Sequence, residues 1–112
     1  MTCREQSFAT PLRIDTVERG GTLVLVLQGE LDIVTSHLLD EALVRAQSKD
    51  ATMIVVDLQA VSFIDSSGLH VLVRHASAEE SRYRLRLTKG STHVQRVFRL
   101  SGALDYLPFV SE

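Results

Sequence analysis

The sequence predicts a small α/β domain with the element order β-β-α-β-α-β-α. Three observations support this fold class: alternating segments on both sides of a Gly-Gly pair, helical repeats of apolar residues, and a short continuously apolar segment between two helices. Both crossovers between parallel strands are expected to be right-handed. We therefore expect residues 1–112 to form one domain, with a mixed sheet of four to five strands, about three to four helices and a flexible tail at residues 1–8.

The first half of the chain is expected to form a hairpin, a helix and a buried strand. Residues 12–17, "LRIDTV", alternate in polarity, and "TLVLVLQGEL" follows Gly20 and Gly21, which is typical of an antiparallel hairpin with a glycine turn. The helix is expected from about residue 33 to residue 47, where apolar residues repeat at helical spacing: Leu38, Leu39, Ala42, Leu43 and Ala46. "TMIVVDL" then predicts a short strand buried on both faces.

After Leu58 the chain is expected to run through "QAVSFID" into a second helix, which Asp65 or Ser66 caps. The apolar stripe of this helix consists of Leu69, Leu72, Val73 and Ala76. "YRLRL" follows as a strand with two different faces. Tyr83, Leu85 and Leu87 lie on one face, and Arg82, Arg84 and Arg86 lie on the other, which is expected to be the solvent face of an edge strand or a contact for an acidic partner.

The last helix is expected to begin near Ser91 and to end at Ser101 and Gly102. Its apolar residues are Val94, Val97 and Phe98. Pro108 lacks a backbone N–H, so "YLPFV" is expected to be an edge element at best.

Composition and charge exclude several classes of function. A net charge of −2 argues against a general nucleic-acid binder, which would carry a clustered basic excess. The apolar runs are far shorter than a membrane span, and the first residues lack the apolar centre of a signal peptide. The lone cysteine, Cys3, can form no internal disulfide. We expect a cytoplasmic monomer that binds neither membrane nor nucleic acid.

The sequence also lacks the usual motifs for cofactors and catalysis. It contains no glycine-rich nucleotide loop, and its four histidines are not at the spacing of a helical zinc site, so no cofactor and no metal are expected. A serine hydrolase would need glycine where Ile64 stands, two residues before Ser66. We therefore expect a protein that is not an enzyme.

The segment "DSSG" places hydroxyl groups at the start of the second helix. Asp65, Ser66 or Ser67 can cap that helix, and Gly68 is expected to let a partner approach the backbone. A phosphate on Ser66 would add a charge of about −1.5 to −2, which a helix N-terminus tolerates. The phosphate would therefore affect the binding of a partner rather than the folding of the domain. Capping and switching both remain possible at this point.

Three motifs carry a resemblance to a known family. "FIDSSGL" after the strand that ends in "VVDL", "LQGELD" upstream and "RLSGALDYL" near the end resemble the STAS-domain anti-sigma factor antagonists of bacteria. The resemblance extends from about residue 12 to residue 109 and implies a STAS-like fold. It implies a regulator of transcription, for example in a stress response.

The resemblance also implies a mechanism and a set of site residues. Ser66 would be phosphorylated by an anti-sigma factor that is an ATP-dependent serine kinase. The unphosphorylated antagonist would bind this kinase and free the sigma factor, the phosphorylated form would let go, and a serine phosphatase would reset it. The residues implied in partner binding are Asp32, Asp65, Ser66, Ser67, Gly68 and Leu69.

Several residues keep two interpretations. Asp32, in "GELD" with Gly29 and Glu30, is expected either to cap the first helix or to contact the partner. Arg74 and His75 are expected to face outward, as docking residues or as a solvated face. His70 departs from the family pattern, which often has a small residue there, and this puts the identity of the kinase in doubt. The alternative function is a STAS subunit of a lipid transporter or stress-signalling assembly whose serine is never modified.

Overall fold

A computed structural model of the protein describes residues 12–78 and 84–110. The strands are β1 (Arg13–Arg19), β2 (Thr22–Leu31), β3 (Met53–Ile64) and β4 (Leu85–Leu87). The helices are α1 (Ser36–Gln47), α2 (Ser66–Ser77) and α3 (Thr92–Ser101), followed by a short 3-10 helix (Ala103–Tyr106). The order of these elements confirms the predicted α/β class.

The four strands form one mixed sheet in the order β1-β2-β3-β4. β1 and β2 are antiparallel, whereas β3 is parallel to both β2 and β4. The hairpin turn is confirmed, because Gly20 and Gly21 have φ angles of 50° and 88°, a conformation that other residues rarely adopt.

The hydrophobic core lies between the sheet and the helices. Buried residues alternate along β2 and along the first half of β3, and residues from all three helices join the same cluster, among them Leu43, Leu72 and Phe98. The intervening strand residues, such as Val24 and Val55, are only half-buried. The expectation that "TMIVVDL" is fully buried on both faces is therefore wrong for one of its faces.

β3 is longer than expected, since the "QAVSFID" segment continues the strand as far as Ile64. Its pairing with β2 persists to Leu31 through two register shifts, and Gly29 has a φ of 113° at the second of them. Beyond Leu58 the buried positions are Val61 and Ile64, three residues apart. The bulges thus destroy the alternation by which a strand is recognised in a sequence.

α1 begins three residues later than expected. The Asp32 carbonyl oxygen accepts hydrogen bonds from the N–H groups of Thr35 (3.2 Å) and Ser36 (2.8 Å), which forms a turn ahead of the helix. Ile33 and Val34 lie in this turn with 75% and 71% of their surface exposed.

The buried residues of α2 are Gly68, Val71, Leu72 and His75. Of the expected stripe only Leu72 is fully buried, while Leu69, Val73 and Ala76 are half-buried and pack against the core. The expectation that His75 is a surface residue is wrong. Its ring lies between the two helices, with Nε2 2.6 Å from Asp40 Oδ1 and Nδ1 3.2 Å from Gln47 Nε2, both on α1. Arg74 remains exposed and donates to Asp40 as well, at 3.1 Å.

The C-terminal half follows the sequence more closely. Ser91 caps α3 by accepting the N–H of Val94 at 3.2 Å, and Gly102 ends the helix with a φ of 81°, as expected. Pro108 and Val110 bond to Leu87 from the edge of the sheet, which confirms the edge element. Within the described ranges no helix is long and apolar enough to cross a membrane.

The predicted arginine face is only partly described, because Arg82 and Tyr83 lie outside the described residues. The guanidinium of Arg84 donates to three backbone carbonyls between α1 and β3, at 3.0 to 3.4 Å. These carbonyls belong to Gln47, Lys49 and Ala51. Arg84 is therefore a structural residue rather than part of a solvated face.

We predict that Asp40→Asn destabilises the protein by about 1 kcal/mol near neutral pH. The His75 hydrogen bond, opposed by burial and aided by Arg74, holds the Asp40 pKa below its ordinary value of 3.8. The expected loss of stability is at the low end for a hydrogen bond to a charged group, because the Asp40 side chain is 36% exposed. A lowered folded-state pKa stabilises the protein above pH 3.8, and this stabilisation is lost as the pH falls through the folded-state value.

Urea unfolding of the wild type and of Asp40→Asn at about pH 7 and about pH 3 tests this prediction. The difference in unfolding free energy should shrink at the lower pH. Asp50→Asn is the control, since Asp50 is exposed and outside this cluster. Equal stability of Asp40→Asn and the wild type at pH 7 would contradict the prediction.

Candidate functional site

The candidate site lies where β2 and β3 end side by side. Leu31 is paired with Ile64, and the Asp65 N–H donates to the Leu31 carbonyl at 3.1 Å. Asp32 and Asp65, which follow these paired residues, are therefore neighbours at the carboxyl ends of two parallel strands. Ligands and partners commonly bind at this edge of an α/β sheet.

Asp65 is the cap of α2. Its backbone is extended, and its Oδ1 accepts the N–H groups of Ser67 (2.9 Å) and Gly68 (3.3 Å). Its carbonyl oxygen accepts the N–H of Leu69 at 3.0 Å. Of the three residues that can cap the helix, Asp65, Ser66 and Ser67, the structure thus assigns this role to Asp65.

Ser66 is the first residue of α2 and is exposed. Its hydroxyl makes no hydrogen bond to any residue in the described part of the chain. Since Asp65 caps the helix, capping does not account for Ser66. The arrangement leaves a free hydroxyl on a fixed backbone, while the neighbouring Ser67 is half-buried.

Gly68 has a different role from the one expected. It is buried, and a Cβ at this position would lie 2.5 Å from Leu31 Cγ and 3.1 Å from the Leu31 carbonyl oxygen. Its amide N–H already donates to Asp65. The interpretation that Gly68 exposes the backbone to a partner is therefore wrong, because this glycine lets α2 pack against the end of β2.

Asp32 stabilises the turn before α1. Its Oδ1 accepts the N–H groups of Val34 and Thr35, both at 3.0 Å. The buried Thr35 hydroxyl accepts the Asp32 N–H at 2.9 Å and donates to the Glu30 carbonyl at 2.8 Å. The capping interpretation of Asp32 therefore holds in modified form: it caps a turn rather than the helix itself.

Exposed apolar side chains lie close to both aspartates along the chain. Ile33 and Val34 project from the Asp32 turn, and Phe63, two residues before Asp65, is 39% exposed. The Phe63 ring stacks on His93 of α3, with ring centroids 5.6 Å apart and an angle of 20°. The one feature of the sequence that points to these exposed residues is that Ile33 and Val34 do not belong to the apolar stripe of α1.

Two further residues that the sequence placed at the site, Leu69 and His70, differ from each other in exposure. Leu69 is half-buried, and His70 points outward as an exposed residue of α2. Among the described residues, no group of three or more histidine, cysteine or acidic side chains is placed to hold a metal ion.

Comparisons with known proteins agree on one family. The STAS domain model matches residues 13–112. The anti-sigma F factor antagonist of Paenibacillus polymyxa is 33% identical over 109 residues, covering 87% of this chain and 85% of the relative. The anti-sigma-F factor antagonist RsfB of Mycobacterium tuberculosis is 34% identical over 61 residues, or 54% of this chain. That alignment spans 50% of RsfB, about half the length of this relative.

Solved structures of the anti-sigma factor antagonist SpoIIAA resemble this fold. The unphosphorylated form is 29% identical with a TM-score of 0.66, and the match covers 90% of this chain and 89% of SpoIIAA. The phosphorylated form from Bacillus is 28% identical with a TM-score of 0.59, covering 90% of this chain and 92% of SpoIIAA.

We predict that Gly68→Ala destabilises the protein by about 1 to 3 kcal/mol, as overpacking does in a tight core. In a solvated helix the same change would be stabilising by about 1 kcal/mol, so the sign of the effect reports the Leu31 contact. Thermal and urea unfolding measure it. In a double-mutant cycle, Leu31→Ala should relieve part of the cost of Gly68→Ala. A Gly68→Ala variant at least as stable as the wild type would contradict the prediction.

Proposed function

The chain belongs to the STAS-domain family of anti-sigma factor antagonists, and we propose that it frees a sigma factor by binding the anti-sigma factor. One observation carries the proposal: the exposed Ser66 hydroxyl is unbonded and stands on a helix turn that Asp65 has already capped. In this proposal Ser66 is the residue through which binding is switched. Because sigma factors act where transcription takes place, the proposed compartment is the cytoplasm.

The proposed switch is reversible phosphorylation by the partner itself. The anti-sigma factor is a serine kinase that holds ATP and transfers its γ-phosphoryl group to the Ser66 oxygen. The bond between this group and ADP breaks, and the hydroxyl proton passes to the kinase. A phosphatase then uses water to release inorganic phosphate and restore the hydroxyl. The chain serves as substrate and binding partner in both steps and contributes no catalytic group.

The contacts around Ser66 explain why the phosphate would act on the partner. The amide N–H groups of Ser67, Gly68 and Leu69 are already bonded to Asp65, so they are not available to a phosphate. A charge of about −1.5 to −2 would therefore stand at the surface without neutralisation by these amides. The fold would change little, whereas a partner packed on this point would meet a large hydrated group.

We define the Ser66 surface as Asp32, Ile33, Val34, Phe63 and Ser66. The exposed apolar side chains of this surface provide area that a partner can exclude from water, which is where binding energy concentrates. Asp65, Ser67 and Leu69 remain proposed contacts at its edge. Gly68 supports the surface from below, because it packs against Leu31.

Ser66→Ala and Ser66→Asp test the switch. The alanine variant should bind the anti-sigma factor kinase permanently and accept no phosphate, whereas aspartate should weaken binding by about tenfold or more, since it places a charge in the contact. Calorimetry with ADP-loaded kinase and phosphotransfer from ATP are the measurements. Ser77→Asp, an exposed serine at the other end of α2, is the control. Equal binding by both Ser66 variants would overturn the proposal.

The apolar part of the surface has its own test. Ile33→Asp should weaken kinase binding by about tenfold or more without loss of thermal stability, because Ile33 is 75% exposed and contributes little to the core. Val44→Asp is the matched control, since Val44 is an exposed aliphatic residue on α1 outside the Ser66 surface. If the two variants bind the kinase alike, Ile33 is not in the contact.

A further inference from the structure

A second surface runs along the outer side of α3. We define the α3 strip as His93, Arg96, Arg99 and Leu100, four exposed residues of this helix. His93, Arg96 and Leu100 follow one another at spacings of three and four, so they share one face. The opposite face is buried through Val94 and Phe98.

The strip belongs to the one strongly basic segment of an acidic chain. Residues 84–104 contain five lysines and arginines and no aspartate or glutamate. The rest of the chain holds all fourteen acidic residues and seven of the twelve basic ones. Charge is thus divided between two parts of a molecule whose net charge is only −2.

Within the described residues, the two arginines of the strip have no internal partner. Neither Arg96 nor Arg99 forms a salt bridge or a side-chain hydrogen bond with any residue that the structure describes. Arg99 lies in the last turn, where a cation suits the helix dipole, but Arg96 lies a turn earlier and has no such explanation. By contrast, Asp32 and Asp65 each accept two backbone N–H groups. Unlike these two carboxylates, the arginines of the strip are therefore available to a partner.

An apolar side chain accompanies these charges. Leu100 is 78% exposed, more than the other large hydrophobic residues of the described chain, and Tyr106 in the following 3-10 helix is 74% exposed. A single exposed leucine is ordinary. A leucine beside two unpaired arginines can hold a segment that combines acidic and apolar side chains.

The strip is continuous with the Ser66 surface. His93, at its first end, stacks on Phe63, which belongs to that surface. From His93 to Leu100 the helix advances about 10 Å, at about 1.5 Å per residue. A partner that covers Ser66 and Phe63 therefore needs to extend only two helical turns to reach Leu100.

We propose that the α3 strip binds an acidic segment of the anti-sigma factor, whose apolar side chain packs on Leu100. This inference rests on the proposed function. The arginines attract the acidic segment and orient it, and Leu100 contributes to the lifetime of the complex. The contact lies away from Ser66, so it is formed whether or not the serine is phosphorylated.

The test compares charge-reversal variants in stopped-flow binding to the purified anti-sigma factor kinase. Arg96→Glu/Arg99→Glu should slow association by about tenfold at about 50 mM salt, and the difference should shrink at about 500 mM salt. Arg96→Gln/Arg99→Gln should give an intermediate effect and keeps the experiment informative if glutamate unfolds α3. Leu100→Ala should mainly accelerate dissociation.

The control is Arg19→Glu/Arg45→Glu, which changes the net charge equally. Arg19 and Arg45 are exposed, on the hairpin and at the end of α1. If the α3 variants bind like this control while Ser66→Asp still abolishes binding, the inference is overturned and the proposed function stands. If the kinase does not bind even the wild-type chain, the proposed function fails and takes this inference with it.

Discussion

The junction between Leu31 and the start of α2 determines how Ser66 is presented. The Asp65 N–H donates to the Leu31 carbonyl, and Gly68 allows the helix to pack against the Leu31 side chain. β3 therefore passes directly into α2, with Asp65 as the cap and Ser66 as the first helical residue. Because the backbone is fixed on both sides, the position of the Ser66 backbone is defined, although the hydroxyl makes no hydrogen bond to the described residues.

The same junction determines what a phosphate would encounter. In many helices the free N–H groups of the first turn are available to an anion. Here Asp65 already accepts the N–H groups of Ser67, Gly68 and Leu69, and Asp32 likewise accepts two N–H groups of its own turn. The native carboxylates are thus compensated within the chain, whereas an added phosphate would depend on solvent or on the partner. Because of this difference, the region around Ser66 can contain two native aspartates, and one further anion there would still change how a partner binds.

The sequence predicted the parts of the fold that depend on local rules and missed those that depend on tertiary contacts. Glycine turns, the Ser91 cap and the Gly102 stop follow from local backbone chemistry. The second half of β3 was missed because its bulges break the alternation at Val61 and Ile64. His75 was assigned to the surface because its partners, Asp40 and Gln47, come from another helix. The stack of Phe63 on His93 joins residues that no local pattern connects.

The uneven distribution of charge restricts the orientation in which a partner can dock. The acidic residues of the molecule include Asp32 and Asp65, and the exposed Arg96 and Arg99 lie on α3, while the Phe63 and His93 rings connect the two regions. A partner that fits both regions can dock in one orientation only, because turning it around would bring like charges together. In the proposed switch, phosphorylation of Ser66 would strengthen the negative end and leave the charges of α3 unchanged. The modification would therefore oppose docking at the serine while the electrostatic attraction that guides the first encounter persists, so its main effect should fall on the lifetime of the complex.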